Sequence, residues 1–99
     1  MKTRKDFMMM KPLDIFLYNG TYKTKNDDYE KQLEVCKKEM EKYCFNKPNK
    51  QKFEIAKQKY DETLSKKADN MQDWLLCQKV ANQRKINLHS YSLKIRELN

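Results

Sequence analysis

The side chains best suited to catalysis are few in this sequence and poorly spaced for it. His89 is the single histidine. It stands one position after Leu88 and far in sequence from every cysteine, so a His/Cys relay or a metal site would need help from distant segments. Cys36, Cys44 and Cys77 form no CxxC pair and no Cys/His spacing that suits zinc. Cys36 and Cys44 lie eight positions apart, too far for a bridge within one straight helix. The expectation is three reduced thiols packed between helices of a cytosolic chain; the alternative is redox or twin-cysteine chemistry of an intermembrane space. No glycine-rich phosphate loop is present, and no carboxylate pair stands out from an ordinary salt-bridge pattern. The sequence therefore predicts a protein that binds rather than catalyses, with no cofactor and no metal.

Positive charge is the abundant resource. Lysine and arginine number 22 against 14 acidic residues, a formal net charge of +8, and both flanks are basic around a balanced stretch at 27–49. Such an excess implies an anionic partner: nucleic acid, an acidic lipid surface or an acidic protein patch. Lys52, Phe53, Lys57, Lys59 and Tyr60 interleave cations with aromatic rings in a way that nucleic-acid binders use. The rings, however, fall at core spacing and the lysines lie elsewhere around the helix, as on a solvated face. Arg4 is the only arginine before Arg84, although arginine is the usual base-reading side chain. Nucleic acid is thus not the expected partner, and an RNA-binding helical protein is kept as the second alternative.

The elements that position these groups are helical. One glycine and two prolines leave little turn chemistry for a sheet, while Lys, Glu, Gln, Met and Leu lose little rotamer freedom in a helix. The predicted fold is all-α, with long antiparallel helices in a coiled-coil-like helical hairpin or bundle. Residues 1–26 read as an irregular, partly apolar arm. Its Phe7, Leu13, Ile15, Phe16, Leu17 and Tyr18 must dock either on the end of the helical body or on a foreign chain. The apolar run, interrupted by Lys11, Pro12 and Asp14, is too short and too charged for a signal peptide or a membrane span. The helical domain is predicted over 27–99, with helices at about 27–45, 50–65 and 71–98. Tyr29, Leu33, Cys36, Met40 and Tyr43 stripe the first helix; Phe53, Ala56, Tyr60 and Leu64 stripe the second. Asn46-Lys47-Pro48-Asn49 separates them, and Ser65 to Asn70 reads either as a further turn, the preferred reading, or as a solvated stretch of one long helix. In the third helix Trp74, Cys77, Ala81, Arg84, Leu88, Tyr91, Ile95 and Leu98 alternate steps of three and four, the rhythm of a coiled-coil seam. Roughly 28 helical residues reach about 42 Å, which predicts long antiparallel pairing within the chain or with a second copy. The helix-to-helix interface is accordingly assigned to Trp74, Cys77, Ala81, Leu88, Tyr91, Ile95 and Leu98, with a homodimer or another helical protein as partner.

The run Lys52-Phe53-Glu54-Ile55-Ala56-Lys57-Gln58-Lys59-Tyr60-Asp61-Glu62-Thr63-Leu64-Ser65-Lys66-Lys67, and the later His89-Ser90-Tyr91-Ser92-Leu93-Lys94-Ile95-Arg96-Glu97-Leu98, resemble BAR domains of the oligophrenin and Arf-GAP branches. The resemblance covers about the last half of the chain, as in a partial or truncated member. It implies a crescent-shaped dimer that lays lysines on anionic membrane lipids, at the cytoplasmic face as a peripheral protein. Carried over, it makes Lys66 and Lys67 tip cations and places Lys52, Lys57 and Lys59 on the membrane-facing side. The bland alternative is that these lysines only keep the helix soluble. The other functional alternative is a small structural subunit of a larger assembly, for example an organellar one, whose mark would be the Phe7 to Tyr18 arm docked on another chain.

Overall fold

A computed structural model describes residues 2–98. Four α-helices follow one another: α1 (Arg4–Met9), α2 (Pro12–Glu41), α3 (Lys50–Gln83) and α4 (Leu88–Leu98), with a π-helical turn at Lys42–Asn46 closing α2. Among the described residues there is no strand, so the all-α expectation holds. The residues divide into two compact units, one built from the chain up to Lys23 together with Met71 onward, the other from Thr24–Asn70.

The first unit corrects the reading of residues 1–26 as an irregular arm. Thr3 caps α1 through a capping box: its hydroxyl accepts from the Asp6 amide while the Asp6 carboxylate accepts from the Thr3 amide. The Thr3 amide and the Thr3 hydroxyl both donate to Asp6 Oδ2, and these two hydrogen bonds hold Asp6 below the usual carboxylate range. Pro12 then opens α2 at the first helical position, where its missing N–H costs nothing and its fixed φ suits the helix. The helix predicted to begin at Asp27 therefore begins fifteen positions earlier, at Pro12. The apolar residues of this segment belong to the chain's own core. Phe7 and Ile15 are fully buried with Tyr22, Cys77, Val80 and Ala81, and Met10, Tyr18, Trp74, Leu76, Ile86 and Leu88 pack around them. The docking of a Phe7 to Tyr18 arm on a foreign chain is thereby overturned for Phe7 and Ile15.

Contacts in this unit run in opposite chain order. The Cys77 thiol faces the Ile15 carbonyl, and the Trp74 indole donates to Asn19 Oδ1 at 2.8 Å, so α2 and α3 are antiparallel there. Arg84 donates from Nη1 to the carbonyls of Phe7 and Met10, supplying donors to the orphan acceptors at the end of α1.

The helix predicted at 71–98 is broken. α3 ends at Gln83, and the Ile86 amide bonds back to the Ala81 carbonyl while the Lys85 amide bonds to that of Asn82. This is the paired pattern of a Schellman motif, and Lys85 holds its left-handed position at φ 58°. Asn87 then caps α4, its Oδ1 accepting from the Ser90 amide at 3.1 Å. Tyr91 of α4 stacks on Phe16 with ring centroids 5.8 Å apart.

In the second unit the predicted separator is confirmed: Pro48 follows the π-helical turn, and Asn49 caps α3 by accepting from the Lys52 amide at 3.0 Å. The turn predicted at Ser65 to Asn70 does not exist, because α3 runs unbroken through it. Leu64 also leaves the predicted stripe. It is exposed, and Thr63 is buried in its place, followed along α3 by half-buried Lys67 and buried Asn70. The seam of α3 thus reads Phe53, Ala56, Tyr60, Thr63, Lys67, Asn70, Trp74, Cys77 and Ala81 in strict steps of three and four. Its central members are polar. The facing stripe of α2 (Tyr29, Leu33, Cys36, Met40 and Tyr43) is buried or half-buried, as its spacing predicts.

Candidate functional site

The predicted interface residues part company. Trp74 packs against the first unit's core and Cys77 and Ala81 are buried in it, so the chain's own α1 and α2 already cover that end of the stripe. Leu88 and Tyr91 are half-buried, whereas Ile95 and Leu98 are exposed beyond the Schellman turn. One continuous seam from Trp74 to Leu98 for a second copy is therefore absent, because the backbone changes direction between its halves.

The five predicted lipid-facing lysines do not share a face either. Lys67 points into the seam, where its Nζ pairs with Glu30 at 3.4 Å. Lys66 and Lys67 stand in the middle of α3 rather than at a helix junction, which corrects their assignment as tip cations. Lys52, Lys59 and Lys66 follow at intervals of seven along one flank, and the last two line a groove of about 460 Å³ with Val35, Glu39 and Glu62. Lys57 lies five positions past Lys52, about 140° around the helix and on another side. Only Lys52 reaches the junction of α2 and α3.

That junction is where the second unit concentrates its charge. Between residues 42 and 52 the chain carries Lys42, Lys47, Lys50 and Lys52 and no carboxylate, whereas the rest of the unit holds eight lysines against ten acidic residues. The backbone there is a widened turn: the Lys47 amide bonds to the Lys42 carbonyl at 2.8 Å and the Asn49 amide to that of Tyr43 at 2.9 Å. π-Turns of this kind are a common way for a helix to end. The Tyr43 ring is half-buried, with the ammonium groups of Lys42 and Lys52 each 5.4 Å from its centroid. Two positions on along the turn, Phe45 is 78% exposed. Cys44 beside it is exposed as well, while Cys36 and Cys77 are buried.

Chemically the junction offers four ammonium donors and a ring open to solvent, with the nearest acids in sequence, Glu41 and Glu54, just outside it. All four lysines and the Phe45 ring stand exposed, which suits a surface of phosphate or carboxylate groups. Sequence reasoning passed over the junction because it read Asn46-Lys47-Pro48-Asn49 as punctuation; the usable signal was the run of twelve residues without an acid, Lys42 to Phe53. No helix among the described residues is long and apolar enough to cross a membrane. No family model, curated protein or solved structure matches the chain.

Proposed function

We propose that the chain is a non-enzymatic helical module that binds acidic membrane surfaces through ammonium groups. The observation that supports this reading is charge separation within one unit: four cations and no anion at the α2–α3 junction, against an acidic excess along the helices that carry it. A charge pattern that served only solubility would intersperse the two signs. The reading retains the acidic-lipid expectation and moves its centre from Lys57, Lys59, Lys66 and Lys67 to Lys42, Lys47, Lys50 and Lys52. The first unit adds ten cations against four acids, so both units are net positive toward an anionic surface.

Each Lys or Arg close to an acidic leaflet contributes about 1 kcal/mol, so four give about 4 kcal/mol, a millimolar-range attachment. It must weaken with salt, because the Debye length falls to about 8 Å at physiological ionic strength. Co-sedimentation with vesicles of phosphatidylcholine alone, or of phosphatidylcholine with phosphatidylserine, tests the reading. Binding to the acidic vesicles only, declining with added salt, is expected. Equal binding to both compositions, or to neither, overturns it. A retained gel shift with generic RNA and no vesicle binding would move the same cations to the RNA-binding alternative.

A further inference from the structure

We infer that the α2–α3 junction is a lipid-insertion site in which Phe45, with the adjoining Cys44 side chain, enters the headgroup layer of an acidic bilayer while the four lysines of the same stretch meet its phosphates. The inference rests on the acidic-lipid reading above and adds a mode of attachment to it. A single exposed apolar side chain needs no explanation by itself. Phe45 differs in its setting. Its ring is 78% exposed and lies in a stretch from which every carboxylate is missing. The neighbouring aromatic, Tyr43, is half-buried on the seam, where ammonium groups flank its ring, so the π-helical turn separates one ring for packing from one ring for solvent.

Charge complementarity selects the occupant. Lys42, Lys47, Lys50 and Lys52 make the stretch that carries the ring positive, and a second copy of the same junction would be repelled by it where an anionic leaflet would be attracted. Lysines on long apolar stems can keep their heads at the phosphates while a ring beside them goes deeper. Pro48 and the Asn49 cap hold the two helix ends that present the turn, so the ring is offered from ordered backbone. Adsorption by four cations alone is weak and salt-labile. An inserted ring supplies an area-dependent component that added salt does not screen.

The test uses the full chain and vesicles of phosphatidylcholine with phosphatidylserine. Phe45→Ala should weaken binding roughly tenfold with the salt slope unchanged, as expected for partial burial of one ring. Phe45→Trp should restore it, since tryptophan suits the headgroup region. Lys47→Gln with Lys50→Gln should lower the salt slope instead. An environment-sensitive fluorophore on Cys44, which is exposed while Cys36 and Cys77 are buried, should shift to the blue on binding. Far-UV circular dichroism of each variant separates lost binding from lost fold. If the parent chain sediments with neither vesicle type, the acidic-lipid reading falls and the insertion with it. If the parent binds but Phe45→Ala binds equally and the probe on Cys44 keeps its emission, insertion alone is overturned and electrostatic adsorption stands.

Discussion

Truncating Phe7 to alanine tests whether the amino-terminal segment is part of the fold's core. The ring is fully enclosed and meets Tyr18 and Tyr22 edge-on, with centroids 6.4 and 6.5 Å away. Large-to-small changes of a buried Phe cost about 3–5 kcal/mol, and aromatic pairs of this geometry contribute about 0.5–1.5 kcal/mol beyond the area they bury. α1 is only six residues long and can settle toward the cavity, which places the expected loss near the lower end, about 3 kcal/mol. Against a total of about 5–15 kcal/mol for a chain of this size, that is a large share. It corresponds to a fall in Tm of about 12–24 °C. Urea unfolding followed by far-UV circular dichroism measures it. An unchanged m-value with a lowered midpoint means that α1 and the rest of the first unit unfold together, and a reduced m-value means that α1 has undocked beforehand. A cost below about 1 kcal/mol would refute the placement of Phe7 inside the core.

Three further outcomes follow from particular side chains. Asn26 has its Oδ1 buried with no hydrogen-bond partner among the described residues and its Nδ2 only 3.4 Å from Glu30, so Asn26→Leu should stabilise the chain by about 1–2 kcal/mol; a lowered urea midpoint would show that the acceptor is satisfied. Burial pushes the Tyr22 hydroxyl up from 10.0 to about 12 and the Cys77 thiol up from 9.0 to about 11. Both folded values are raised, so their contribution is complete below about pH 9 and declines as pH rises from there toward 12. Urea midpoints should fall across that window, and less so in a Tyr22→Phe, Cys77→Ala double variant. Lys85 holds φ 58° without being glycine, so Lys85→Gly should raise stability by about 1 kcal/mol in the same assay, and a loss would show that the lysine side chain itself holds the turn.

The helical class was legible because composition and the three-four rhythm agree, and the stripe from Tyr29 to Tyr43 lies where its spacing predicts. What hid the rest was polarity at seam positions. Thr63, Lys67 and Asn70 continue the pattern of α3, but a reading keyed to apolar residues took Leu64 and then saw a gap, which became a turn. At the amino terminus Lys11, Pro12 and Asp14 looked like interruptions, although proline is well suited to a first helical position and Thr3 with Asp6 matched a capping box. Near the carboxyl terminus the pattern was too good: steps of three and four crossed a break whose pivot is a lysine rather than the expected glycine. Of the candidate site, only Lys52 was anticipated. Bringing Lys42 and Lys52 to the one Tyr43 ring depends on the turn between them, which single-helix periodicity does not convey.

The polar stretch in the α3 seam sets how the helix opens to hydrogen exchange. Amide protons are protected in proportion to what must separate before they meet solvent. Around Val80 and Ala81 that means exposing a closed aliphatic and aromatic cluster, whereas around Thr63 and Lys67 it means parting a hydroxyl and an ion pair that water can replace. Deuterium should therefore enter the centre of this helix before its carboxyl-terminal turns, the reverse of the fraying order that an isolated helix would follow.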